Sequence, residues 1–169
     1  MRLLEIKQLT ATDSSAYWEI RLEALQKNPS AFITTYQDAL NKVNPVNETA
    51  ERFANGNNYT YGAYLKNNLV GVVTMLRQTH PKFKHKAEIL AMYVSNEIRG
   101  LGIGTKLLDK TIEQAKLVGI EQLQLGVVST NIPAIALYKK VGFSIYGTEI
   151  RAIKMNDSYE DEELMVYFI

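Results

Sequence analysis

Arg99-Gly100-Leu101-Gly102-Ile103-Gly104-Thr105 stands directly after an apolar run, Lys86 to Val94, and directly before a helical pattern. Strand, glycine turn and helix follow without a spacer, so backbone amides are presented at a helix start. The glycines at 100, 102 and 104 remove side chains that would hold an oxyanion off. The unpaired amides of a first helical turn supply donors and partial positive charge. A pyrophosphate-bearing ligand on the amides of Gly100, Leu101, Gly102, Ile103, Gly104 and Thr105 is the first expectation. Spacing argues against two other phosphate loops. A Walker A loop ends in Gly-Lys-Ser/Thr, whereas this chain has Gly104-Thr105-Lys106. A dinucleotide fingerprint needs glycine three residues after Gly102, where Thr105 stands, and usually follows the first strand of its domain rather than the fourth. Taken alone, the heptapeptide also fits a glycine-rich helix entry with no ligand.

Outward from the turn, the pattern predicts a helix from Gly102 to Gly119 carrying Leu107, Leu108, Thr111, Ile112 and Ala115 on one face. A strand over Gln122 to Val128 follows. Asn131 then caps a helix with Ala134, Leu137, Tyr138 and Val141 on one stripe, ended by Gly142. Two last strands, Phe143 to Thr148 and Glu162 to Ile169, flank a polar loop. Upstream, Leu3 to Leu9 reads as a short strand, and Thr12 or Asp13 caps a helix reaching Asn28-Pro29. Residues 30–58 carry a breaker at Asn44-Pro45 and a short helix over Glu48 to Ala54. Tyr59 to Leu65 and Leu69 to Arg77 pair antiparallel across Lys66-Asn67-Asn68, whose asparagines tolerate positive φ. Without repeat, low-complexity stretch or linker, residues 1–169 read as one α/β domain.

Composition narrows the function classes. A chain of 169 residues buries a sound core without metal or disulfide support. It has no cysteine, which removes disulfides, thiolate zinc sites and a cysteine nucleophile, and its two histidines, His80 and His85, are too few for a metal cluster. Met1 to Lys7 meets a charge early, and no run approaches the roughly 20 apolar residues of a membrane span, so a soluble cytoplasmic protein with no membrane partner is expected. A formal net charge of +1 argues against a nucleic-acid binder.

A second motif follows the next strand: Asn131-Ile132-Pro133-Ala134-Ile135-Ala136-Leu137-Tyr138-Lys139-Lys140-Val141-Gly142-Phe143. Together with Arg99-x-x-Gly102-x-Gly104 it resembles the GNAT superfamily of acyl-CoA-dependent N-acetyltransferases. There an Arg/Gln-x-x-Gly-x-Gly/Ala turn precedes the main helix, and Asn-x-x-Ala-x-x-Leu-Tyr-x-x-x-Gly-Phe follows the next strand. The order of elements agrees over residues 3–168, and the motif match runs from Ala87 through Phe143. The resemblance implies a single-domain GNAT fold: a mixed, largely antiparallel sheet of about six to seven strands with splayed central strands, flanked by about four helices. It implies acetyl-CoA as acyl donor, its pyrophosphate on the glycine turn beside Arg99. The pantetheine arm would lie along the backbone of Met92, Tyr93 and Val94, with an amide near Met92 polarising the thioester carbonyl.

By the same resemblance Tyr138 is the acid that protonates the departing thiolate, although a tyrosine on that stripe also simply packs. Glu88, four residues before Met92, is expected on the same face by strand alternation unless the bulge that the resemblance implies in this strand intervenes, and is the candidate base. A surface ion pair with a lysine of the Lys82 to Lys86 loop is its alternative. Asn131 caps its helix and, as in relatives, hydrogen-bonds the pantetheine or a bridging water. Glu160, Asp161, Glu162 and Glu163 read as a solvated loop.

The resemblance implies transfer of acetyl to a primary amine of a small molecule or peptide by direct attack in a ternary complex. No metal and no covalent enzyme intermediate are invoked, and the missing cysteine fits that, with a serine ester still conceivable. A non-catalytic acyl-CoA-binding regulatory module is the main alternative; a nucleotide-dependent oxidoreductase fits the spacing poorly. The resemblance implies an acceptor site built from the first helices, their loop and the strands near the C-terminus, around Arg21, Glu23, Phe32, Tyr36 and Tyr159. The apolar last strand, Leu164 to Ile169, can pair with another chain, which leaves a homodimer open.

Overall fold

The computed structural model describes residues 3–169; Met1 and Arg2 of the N-terminal stretch lie outside the described residues. Seven strands form one sheet in the order β1-β2-β3-β4-β5-β7-β6: β1 Leu4–Gln8, β2 Asn58–Leu65, β3 Asn68–Arg77, β4 Lys86–Val94, β5 Gln122–Val128, β6 Ser144–Met155 and β7 Ser158–Phe168. The helices are α1 Ser14–Lys27, α2 Tyr36–Leu40, α3 Pro45–Ala54, α4 Ile103–Leu117 and α5 Ile132–Val141. All neighbouring strands are antiparallel except β4 and β5. A parallel pair needs a crossover, and α4 is that crossover.

Each face of the sheet has its own core. On one, α4 and α5 bury Leu107, Leu108 and Ala115 against Tyr61, Val73, Met75 and Leu123. On the other, Tyr17, Ile20 and Ala24 of α1 pack on Val72 and Tyr93. The α4 stripe lies where its helical period puts it. In α5 the deepest residues are Ile135 and Tyr138, with Ala134, Leu137 and Val141 only partly buried, so the expected stripe is rotated toward Ile135.

Several boundaries differ from the sequence reading, each for a local reason. The α3 helix begins at Pro45 rather than Glu48, because proline at a first helical position loses no hydrogen bond. Helix α2 was not expected. Its five residues show no period, and Thr35 fixes its start by accepting from Asp38 N at 3.0 Å. In the first hairpin the positive φ angles fall on Lys66 and Asn67, and Asn68 pairs with Leu65. The polar loop between the last strands is itself strand: β6 and β7 pair out to Met155 and Ser158 around Asn156-Asp157. Among the described residues, no helix is long and apolar enough to cross a membrane.

Candidate active site

The sheet opens at its centre. Strands β4 and β5 pair only through Lys86–Gln122, Ala87–Leu123 and Glu88–Gln124. Beyond Glu88 the two strands part, leaving the edge of β4 over 89–94 without a strand partner on that side. The cause is a bulge: the register with β3 shifts between Val72 and Thr74, opposite Ala91, whose φ is 53°. The bulge also switches faces. Ala87 and Ile89 belong to the α4 core before it, as do Met92 and Val94 after it, whereas Tyr93 packs toward α1. Glu88 alternates with Ala87 and Ile89, so it faces the α1 side. The bulge thus intervenes between Glu88 and Met92, and the two do not share a face.

A cleft of about 1210 Å³ runs through the opening. At one end lies the glycine turn. Gly100 and Gly102 have φ of 82° and 75° with nothing within 4 Å of an added Cβ, so conformation, not crowding, demands glycine there. Gly102 precedes α4 and offers no side-chain cap; the first intrahelical bond is Lys106 N to Gly102 O at 3.1 Å. The amides of Ile103, Gly104 and Thr105 come before that bond and face no helical acceptor. Gly104 also has a packing duty. A Cβ there would meet Leu137 Cδ2 at 2.8 Å and Met92 Cε at 3.3 Å, so its bareness lets α4 approach α5 and β4. Leu101 stands half-exposed at the tip, outside the cleft wall. Arg99 braces the turn: its Nε donates to Val94 O at 2.9 Å and its guanidinium lies 5.6 Å over the Tyr93 ring.

Tyr138 reaches the cleft from α5. It is 7% exposed, meets Phe143 edge-on at 5.8 Å, and burial pushes its phenol well above the ordinary range. A buried neutral phenol retains its proton, so it can donate. Asn131 caps α5 by accepting from Ala134 N at 3.4 Å and also lines the cleft. The Tyr93 side chain packs toward α1. Its hydroxyl donates to Glu23 Oε1 at 2.9 Å, tying the end of β4 to α1.

The other end of the cleft is walled by Trp18 and Arg21 of α1, Phe32, Arg52 of α3, and Glu162 and Leu164 of β7. Of the residues expected there, Arg21 and Phe32 line it. Glu23 is engaged by Tyr93, whereas Tyr36 and Tyr159 lie off the wall, Tyr159 being half-exposed between Arg151 and Lys154. Glu88 lines the cleft and, among the described residues, forms no ion pair with the Lys82 to Lys86 loop.

Glu162 departs from the expectation of a solvated loop. Glu160, Asp161 and Glu163 do hold the hairpin through Thr130, Arg151 N, Ser129 and Thr148. Glu162 instead faces the cleft above Gly126, and burial, reinforced by Glu149, raises its carboxyl above the usual range. The sequence carries no alternation that would have singled it out, since Glu160-Asp161-Glu162-Glu163 is an unbroken acidic run; the strand pairing of Val128 with Glu162 is what sets its direction.

This architecture has known counterparts. The Salmonella typhimurium protein yncA, solved with its cofactor acetyl-CoA, superposes with a TM-score of 0.84 over 98% of this chain and 94% of its own, at 21% identity, a likeness of fold. The Escherichia coli L-amino acid N-acetyltransferase AaaT is 30% identical over 61% of this chain and 64% of its own. N-alpha-acetyltransferase 30 of Dictyostelium discoideum is 34% identical over 48% of this chain and 44% of its own. The matches thus span less than two thirds of the length of these curated relatives. Residues 16–143, which hold the bulged strand, the glycine turn and the Asn131–Phe143 helix, match the profile of the Acetyltransferase (GNAT) family. Sequence and fold agree, and the chain belongs to that family.

Proposed function

We propose that this chain transfers an acetyl group from acetyl-CoA to a primary amine, by direct attack with donor and acceptor bound together. The observation that carries the reading is the join between an uncapped, glycine-entered α4 and the unpaired edge of β4 in one cleft. Free amides at a helix start suit a diphosphate, and an open strand edge suits the amide-bearing pantetheine arm. Gly100 through Thr105 would hold the diphosphate, with Leu101 contributing backbone only. Met92, Tyr93 and Val94 would pair with the arm, and the Met92 amide would polarise the reacting carbonyl. Acetyl-CoA supplies the activated acetyl thioester.

The chain's own residues supply proton management. Most amines are protonated at neutral pH, so attack requires that a proton be taken away. Glu88, at the apex where β4 leaves β5 and on the α1 side, takes it from the acceptor's ammonium directly or through water. Glu162 is the second candidate, supported by its raised carboxyl pKa, a direction that suits a base. Tyr138, held neutral by burial, gives its Oη proton to the departing sulfur. Asn131 holds the start of α5, and so Tyr138, in place.

Steady release of CoA in a colorimetric thiol assay across amino acids, polyamines, aminoglycosides and peptides tests this reading. Turnover on one amine class removes the alternative of a binding-only module. Calorimetry that detects no affinity for CoA or acetyl-CoA would overturn the reading altogether.

A further inference from the structure

Arg21 sits on the wall of the acceptor end, and its Nη1 is buried with no hydrogen-bond partner among the described residues. Its guanidinium lies 4.8 Å over the Phe32 ring. Arg52, on the same wall, lies 5.6 Å over Tyr17 and 5.8 Å over Phe53. Every ion pair within 4.0 Å among the described residues uses a lysine, so neither arginine has a carboxylate partner. Burial weakens Arg21's hold on its proton, and Arg52 adds to that.

A buried guanidinium normally meets acceptors that satisfy its fork, because removing it from water without them is costly. Here two cations share one wall, both stacked on aromatic rings, and the Nη1 donor of Arg21 is left unused. An oxyanion entering the cleft supplies what the chain lacks. A bidentate carboxylate fits the fork of Arg21, and the charge of Arg52 adds long-range attraction.

We propose that Arg21 docks a carboxylate on the acceptor, so that the acceptor class is a small amine bearing a carboxylate, such as a free amino acid. This rests on the acyl-transfer reading above. A polyamine is disfavoured by the two arginines, and the burial of Nη1 suits the terminal carboxylate of a small molecule better than a peptide chain.

The test compares the common L-amino acids with their carboxamides, with polyamines and with amidated peptides as acceptors, by CoA release from the full chain. Expected is a kcat/KM preference of at least about tenfold for the best acid over its carboxamide. In Arg21→Met this preference should shrink to within about twofold through KM, with CoA affinity unchanged by calorimetry and a partial preference kept in Arg21→Lys. Trp18, the chain's sole tryptophan and part of the same wall, gives a second measurement on the wild type. With CoA bound, its fluorescence should respond to N-acetyl amino acids at lower concentration than to their methyl esters. Equal turnover of acids and carboxamides, a preference for polyamines or peptides, or a preference that survives Arg21→Met overturns the inference. Failure of the underlying reading looks different: no amine of any class releases CoA, and this inference falls with it.

Discussion

The two ends of the cleft are made of different material. At the glycine turn the donors are main-chain amides from one continuous stretch, Ile103 to Thr105, set by two positive φ angles and a bare helix start. At the other end the wall is made of side chains brought together from α1, residues 29–34, α3 and β7. A main-chain site depends on conformation and tolerates side-chain change except where a Cβ is forbidden. A side-chain site depends on identity, and a single substitution can change which ligand fits. The first end suits an invariant donor, the second an acceptor that differs from one protein to another.

The largest effect expected from that contrast lies between the two ends, at Tyr138. Tyr138→Phe should lower kcat by about 100-fold while leaving CoA affinity intact, since it removes one proton donor and little packing. Full kcat at every pH would return Tyr138 to the role of a core residue. Next comes Gly102→Val, which forces a β-branched residue to a φ of 75°. CoA affinity measured by calorimetry should fall by about tenfold, with any loss of acceptor KM much smaller. Equal damage at both ends would break the contrast.

Gly104→Val tests whether Gly104 serves packing. Its side chain would press on Leu137 and Met92, so the melting temperature should fall by several degrees, for an overpacking cost of about 1–3 kcal/mol. An unchanged melting temperature with weakened CoA binding would restore the simpler role of leaving room for the ligand.

The acceptor end is sharpened by pH. If Glu88 is the base, Glu149→Gln leaves the acidic limb of kcat/KM where it is. A limb that moves to lower pH in Glu149→Gln assigns the base to Glu162, whose carboxyl Glu149 helps to raise. The smallest effect is on stability. A carboxyl whose folded pKa is raised favours the fold while protonated, an advantage present below its unfolded pKa and lost as pH rises through the folded one. Glu162→Gln should therefore raise the melting temperature slightly at pH 7, with no gain under acid conditions where the wild-type carboxyl is already neutral.

Legibility followed the same divide. The strand Lys86–Val94, the turn, α4, β5 and the Asn131 cap could be read directly, because glycines, a cap residue and short-range periods are local signals. The bulge at Ala91 was not legible by alternation, since one inserted residue leaves an apolar run looking the same while it turns Met92 to the opposite face from Glu88. Helix α2 escaped for lack of period. The β6–β7 hairpin escaped because its polar residues are satisfied across strands, by bonds such as Thr148 Oγ1 to Glu163 Oε2 at 2.7 Å, which a linear reading cannot pair.

By itself the sequence determined the glycine-entered helix, its crossover between two strands and the family pattern, because local conformational preference and hydrophobic period act over a few residues. Only the tertiary structure decided which side chains meet in the cleft. Arg21, Arg52, Glu88 and Glu162 lie on four elements, and their meeting depends on how those elements pack around a split in the sheet. Burial of a guanidinium without a partner is likewise a property of that packing, since desolvation is set by what surrounds a charge rather than by its neighbours in the chain.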